Sequence, residues 1–132
     1  MAYLKNISGQ TLLIIEQDCI KNFSMQWLYF IKDGYLKSFN GEMLYKYQDN
    51  YVKDFYQRML FKFRDNTFYD FYGRIIYFIK DDFITDFYGY RLYKIDGNLS
   101  DEQKAYILTL IHEKKFSFCW NILVIENIFI II

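Results

Sequence analysis

A frame of sixteen residues runs without insertion from Met1 to Asp96, with units beginning at Met1, Gln17, Asp33, Asp49, Asp65 and Asp81. The fourth place of each unit reads Leu4, Ile20, Leu36, Val52, Phe68, Ile84. The seventh reads Ile7, Phe23, Phe39, Phe55, Phe71, Phe87, and the twelfth Leu12, Leu28, Leu44, Leu60, Ile76, Leu92. Places thirteen (Leu13, Tyr29, Tyr45, Phe61, Tyr77, Tyr93) and fifteen (Ile15, Ile31, Tyr47, Phe63, Ile79, Ile95) are apolar as well. Five columns that stay apolar through six units require one short structural unit, copied.

Two kinds of turn punctuate the frame. Asp33-Gly34, Asp49-Asn50, Asp65-Asn66 and Asp96-Gly97 fall between apolar runs, and such pairs tolerate the positive φ of a two-residue hairpin turn. Half a unit later, Asn6 to Gly9, Ser38 to Gly41, Asp70 to Gly73 and Asp86 to Gly89 place Asp, Asn or Ser first and Gly fourth, the composition of a type I turn. Met25 and Gln57 stand where the other units have Gly, which predicts strained turns there. The expected fold is all-β: a meander of about twelve strands of about five residues, in six hairpin units over 1–96. An aromatic content of 23%, with 14 Tyr and 14 Phe, suits strands.

A two-residue turn at places one and two sets place four opposite place fifteen of the preceding unit, and place seven opposite place twelve. Because these pairs lie an odd number of residues apart, they are expected on opposite faces of the sheet. A sheet apolar on parts of both faces favours closure with pseudo-rotational symmetry, which also removes exposed strand edges.

After Asp96 the pattern changes. Ser100 and Gln103 have capping-box spacing, and Asp101 and Glu102 complement a helix N-terminus, so a helix is expected to begin at Ser100 within a capping segment 97–115. Tyr106, Ile107, Leu110 and Ile111 recur at helical spacing and predict a stripe that lies against the sheet or plugs one mouth of the ring. The sequence 116–132 is strongly apolar and ends Ile-Phe-Ile-Ile-Ile. A membrane-spanning helix needs about 20 mostly apolar residues, so this tail, with Glu126 inside it, is expected to pack on the domain as strands. Membrane contact and an interface between copies of the chain are its alternative uses.

Sixteen basic and sixteen acidic residues leave no net charge to attract nucleic acid. Cys19 and Cys119 match neither a disulfide framework nor metal-ligand spacing and are expected as reduced thiols. No secretory leader is recognisable at the N-terminus, which makes a cytoplasmic location the expectation. His112 is the only imidazole, and its neighbour Glu113 would point elsewhere on a helix. No catalytic, metal or cofactor motif is present, so no enzyme activity is expected. Asp54, Asp70 and Asp86 at place six, and Asp33, Asp49, Asp65 and Asp81 at place one, would need to converge to do acid-base work. Each is already explained as a turn former. Lys5, Lys21, Lys37 and Lys53 share place five and are read as solvated gatekeepers. The preferred interaction surface is Tyr56, Tyr72 and Tyr88 at the tips of the second kind of turn, with Arg58 and Arg74 two residues on, since exposed aromatics beside polar groups suit partner proteins or sugar faces.

The alternation of a tip such as Phe39-Asn40-Gly41 with Leu44-Tyr45 and an Asp-led turn, ending in Gly-Asn-Leu-Ser-Asp-Glu-Gln, resembles the four-fold beta-flower domains of bacterial proteins. That resemblance covers residues 1–96 and implies a small pseudo-symmetric β domain without established activity; the name implies four units, where this chain has six. Tyr69 to Arg74 is similar to the YD repeat of bacterial toxin shells, and Trp27-Leu28-Tyr29-Phe30 before Asp33-Gly34 is similar to cell-wall-binding repeats, although only Trp27 falls within the array. The function expected from all this is a non-enzymatic hairpin module that binds a protein or an extended ligand, with carbohydrate or cell-wall binding as the alternative.

Overall fold

Backbone sign at the turns fixes the strands. At Asp33-Gly34, Asp49-Asn50, Asp65-Asn66 and Asp81-Asp82 both residues have φ between 52° and 80°, the conformation of a hairpin turn whose twist matches its strands. The other turns bring the backbone N–H of place nine to the carbonyl of place six, as in Gly41 to Ser38 at 2.9 Å and Gly73 to Asp70 at 3.1 Å. Place nine takes positive φ in all six units, including Met25 and Gln57 at 67°. These two therefore hold a left-handed conformation that costs a side chain roughly 1–2 kcal/mol.

In the computed structural model, which describes residues 1–115, the strands are β1 (Ala2–Asn6), β2 (Thr11–Ile15), β3 (Cys19–Asn22), β4 (Trp27–Lys32), β5 (Tyr35–Ser38) and β6 (Met43–Gln48). They continue as β7 (Tyr51–Asp54), β8 (Met59–Arg64), β9 (Thr67–Asp70), β10 (Ile75–Lys80), β11 (Phe83–Asp86) and β12 (Arg91–Asp96), followed by α1 (Asp101–Glu113). Each strand pairs antiparallel with its sequence neighbours, and β12 pairs with β1 to close a twelve-stranded barrel. The expectation for 116–132 lies outside the described residues.

Place four meets place fifteen as the turns predict: Ile20 faces Ile15, Leu36 faces Ile31, Val52 faces Tyr47, Phe68 faces Phe63 and Ile84 faces Ile79. At the seam Leu4 faces Ile95 in the same relation. The closing junction thus repeats the other five, and Lys5 adds an ion pair to Asp96 at 2.7 Å.

The predicted pairing of places seven and twelve does not form, because the junction ladders end at place six, as where Ser38 faces Tyr29 and Asp54 faces Tyr45. Within each hairpin the register slips by one residue: Leu36 faces Tyr45 but Lys37 faces Met43, which leaves Leu44 outside the ladder. Leu12, Leu28, Leu60, Ile76 and Leu92 are skipped in the same way. A bulge of this kind lets two successive side chains point to one side. Leu28, Leu44, Leu60 and Ile76 accordingly pack on the same core as Tyr29, Tyr45, Phe61 and Tyr77. The place-seven side chains, read as core from the sequence, stand beyond the strand ends on the tips and are all exposed. The apolar content is therefore not split between two sheet faces: one part lines the lumen and the other sits on one rim.

Inside, all six place-four side chains have no solvent exposure, each worth about 1.5–3 kcal/mol of burial. A barrel of about eight strands is filled by its own side chains, whereas twelve leave space at the axis. The helix occupies it. Seven successive residues, Ala105 to Ile111, are buried, so the helix is enclosed on every side rather than presenting the single predicted stripe. Its start matches the expectation, with Ser100 as N-cap and the reciprocal capping box to Gln103. Gln103 donates to the Glu16 carbonyl at 3.1 Å, Lys104 to Asn66 at 3.0 Å, and the Tyr106 hydroxyl to the Gly34 carbonyl at 2.6 Å while accepting from the Tyr47 N–H at 3.0 Å. At the other end Lys114 closes the helix in a left-handed cap and the Lys115 carbonyl accepts from Tyr29.

Asp96-Gly97, predicted as a hairpin turn, instead directs the chain from the wall into the lumen. Gly97 has φ 113°, and a Cβ there would stand 2.9 Å from the Met1 carbonyl oxygen, so the crossing needs glycine.

Two stability outcomes follow from this architecture. Tyr106→Phe removes the hydroxyl that bridges the Gly34 carbonyl and the Tyr47 N–H, leaving these two only their own contact at 3.3 Å, and is expected to cost about 1 kcal/mol in urea unfolding; an unchanged midpoint would show that the hydroxyl does not lock helix to barrel. Gln57→Gly relieves a left-handed side chain and should add about 0.5–1 kcal/mol, read as a higher melting temperature.

Candidate binding surface on the turn tips

Each tip is built by its place-six side chain. Asp54 Oδ1 accepts from the backbone N–H of Tyr56 at 2.9 Å and of Arg58 at 3.0 Å. Asp70 does the same with Tyr72 and Arg74, both at 2.9 Å, and Asp86 with Tyr88 and Tyr90 at 2.9 and 3.0 Å. Asn22 serves Ser24 and Gln26 equivalently. These carboxylates and amides organise their own loops, as the sequence reading expects for Asp at a turn start.

The second carboxylate oxygen binds an arginine. Arg58 Nε lies 2.7 Å from Asp54 and Arg74 Nε 2.8 Å from Asp70. Each guanidinium also stacks over the tip tyrosine of its own loop, 5.5 Å from the Tyr56 ring and 5.4 Å from the Tyr72 ring. Desolvation works to raise Asp54 and Asp70, but the backbone N–H and guanidinium of the paired arginine outweigh it and hold both below the usual carboxylate range.

Above this base the aromatic pairs project. Phe55 meets Tyr56, Phe71 meets Tyr72 and Phe87 meets Tyr88 edge to face, with centroids 5.3–5.4 Å apart. Tyr56, Tyr72 and Tyr88 are 74%, 79% and 81% exposed. Four of the five sequence-selected residues are thus joined within two loops, Tyr56 with Arg58 and Tyr72 with Arg74, while Tyr88 stands in a third, Asp86-anchored loop with Tyr90 in the arginine's place. Sequence reading missed the phenylalanines of place seven as surface residues. Their signal was present, since the second residue of a type I turn stands outside the ladder.

The outer wall continues the aromatic and basic pattern. Lys46 lies 5.2 Å from the Tyr35 ring, Lys62 sits between Tyr51 at 5.9 Å and Tyr69 at 5.8 Å, and Arg91 lies 4.0 Å from the Phe83 ring. Grooves run between neighbouring hairpins. One of about 540 Å³ is lined by Tyr51, Met59, Lys62, Tyr69 and Tyr72, and one of about 620 Å³ by Thr67, Phe78, Tyr88 and Arg91 among others.

The other candidates are engaged locally. Lys5 is paired with Asp96, and Lys21 with Glu16 at 3.1 Å while also facing the Trp27 ring at 5.0 Å, so the place-five lysines do not form one open basic row. His112 stands edge-on to Phe61 and Tyr77 at the helix end. Glu16, Asp18 and Cys19 bring potential ligand atoms within 4.8 Å of one another. There the Cys19 thiol donates to Glu16 at 3.2 Å, and burial followed by that bond pushes its pKa up to about 11. This thiol is therefore protonated and unreactive; Cys119 lies outside the described residues.

No protein-family model, curated protein or solved structure matches this chain.

The Asp–Arg clasps give an acid signature. A carboxylate held below its unfolded pKa of about 3.9 stabilises the fold fully above about pH 4 and loses that contribution as pH falls through the folded value. Asn keeps the backbone bonds, as Asn22 demonstrates, but cannot titrate. Asp54→Asn/Asp70→Asn should therefore lose less melting temperature than the parent between about pH 5 and pH 2; parallel curves would mean that the clasps do not stabilise the tips.

Proposed function

We propose that this chain is a non-enzymatic binding module in which a tandem array of hairpins, akin to the beta-flower type, serves as a scaffold for its turn tips. The observation that carries this reading is the set of exposed Phe–Tyr pairs at Phe55-Tyr56, Phe71-Tyr72 and Phe87-Tyr88, each fixed by an Asp-anchored loop. Exposed aromatics lose little conformational freedom on binding and contribute large contact area, which suits them to anchor a partner. The ligand is a protein or another extended surface that spans several tips. The carboxylates that would be needed for hydrolytic chemistry spend their oxygens on turn N–H groups and arginines, which supports binding over catalysis.

A second reading is carbohydrate recognition. The grooves that run beside Tyr72 and Tyr88, with Tyr51, Tyr69 and Lys62 along one of them, offer aromatic faces and cations to a sugar chain.

Tyr56→Ser/Tyr72→Ser/Tyr88→Ser removes exposed groups only and is expected to leave the circular-dichroism spectrum and melting temperature within a few degrees of the parent while reducing ligand capture at least about tenfold. Unchanged capture would overturn the tips as the binding surface. A glycan array without signal, alongside a specific pulled-down protein, would remove the sugar reading.

A further inference from the structure

The two rims of the barrel differ in polarity more than hairpin folding requires. At one rim every junction turn carries Asp, from Asp18 and Asp33 through Asp49 and Asp65 to Asp81. At the other, places seven to nine of all six units contain no Asp, Glu, Lys or Arg, yet include five Phe and three Tyr. Turn tips ordinarily favour polar residues, and exposed apolar groups gathered at one site mark an interaction surface. Just below these tips Arg58 and Arg74 clasp Asp54 and Asp70, and Glu42 and Asp86 are matched in number by Lys37 and Lys53 at place five.

We propose that the tip rim docks onto the interfacial region of a zwitterionic lipid bilayer; this rests on the reading of the tips as the binding surface and names its extended ligand. Six apolar points spread around a circumference demand a rigid partner matched to each, whereas a fluid bilayer meets them together. A Phe beside a Tyr hydroxyl places an apolar ring and a polar handle at adjacent depths, which suits the headgroup boundary. Near-balanced charge beneath the tips, with no large basic excess, favours a zwitterionic over an anionic surface.

The chain's path adds an independent argument. The helix starts at the Asp-turn rim, where Lys104 meets Asn66, and ends at Lys115 beside Tyr29 and Tyr45, so it is directed toward the tips. The sequence that follows, Phe116 to Ile132, has Glu126 as its one charged residue. The described chain thus ends on the tip side of the barrel, at the point where the sequence turns apolar.

The wall itself is not the membrane-facing element. Its strands have four to six residues where a spanning strand needs about 9–11, and the outer face carries lysines such as Lys46 and Lys62 stacked on tyrosines. Among the described residues no helix is long and apolar enough to cross a membrane.

Flotation of the full chain with phosphatidylcholine vesicles tests this directly. The parent is expected to float with the vesicles and to remain bound in about 0.5 M salt, because burial of apolar surface is not screened. Phe39→Ser/Phe55→Ser/Phe71→Ser in the full chain should weaken partitioning about tenfold or more, and Phe39→Ser alone, at the most exposed of these rings, by about threefold. Asp49→Asn/Asp65→Asn at the opposite rim should leave it unchanged. A parent that stays in the lipid-free fraction, a triple variant that floats like the parent, or binding confined to anionic vesicles and lost in salt would each overturn the proposal. Failure to float combined with tyrosine-dependent capture of a protein would remove the bilayer while leaving the tips as the binding surface.

Discussion

A ring of twelve strands encloses more space than its own side chains fill, and the fold depends on what occupies that space. Place four supplies six fully buried side chains and place fifteen a second layer, but the axis is left to α1, which Ala105 to Ile111 fill on all sides. Burial alone would let a helix rotate or slide. Tyr106 prevents this by engaging Gly34 and Tyr47 from the middle of the helix, while Gln103 and Lys104 tie its start to Glu16 and Asn66 on different hairpins. The helix is thus both core and axle, and Gly97 is the narrow passage by which the chain reaches it.

The bulge at place twelve governs the remaining geometry. By sending two successive side chains inward, it adds the place-twelve residue to those of places thirteen and fifteen that each return strand gives to the lumen, without lengthening the strand. It also shifts the alternation beyond it, so place eleven faces out and the tip carries its apolar residue away from the core. Core and tip are consequently independent: a tip can be changed without disturbing lumen packing, and the Asp or Asn at place six holds the loop in shape whatever side chains stand above it.

Much of this was legible in the sequence because the frame reports the same constraint six times. The register of Leu36 on Ile31 follows from Asp33-Gly34 alone, and the capping box announces Ser100 as the helix start. Closure follows from the same arithmetic, since Leu4 on Ile95 is that junction rule applied once more. What the sequence concealed was direction. Leu44 and Tyr45 are adjacent, and strict alternation would put them on opposite faces; nothing in an apolar pair says that a ladder has skipped one of them. Phe71 was misread for a related reason, because a column of phenylalanine looks like core unless its loop is recognised as three residues long. The helix stripe was underestimated too, since Ala105, Leu108 and Thr109 fall off the predicted face and become buried only inside a closed ring.

The candidate surface was legible for the opposite reason. Tyr56, Tyr72 and Tyr88 are aromatic where neither turn geometry nor packing asks for it, and their loops would form equally with the serine or asparagine that Ser24 and Asn40 supply in other units. Leu4 or Phe68 cannot be read that way, because burial explains each fully. The clasps of Arg58 and Arg74 carry the argument one step further. An exposed ion pair of this kind adds little stability, yet each guanidinium lies against the ring of its own tip tyrosine, which holds an exposed aromatic in one orientation. A side chain that is exposed and also held in place is arranged for what it meets rather than for the fold that carries it.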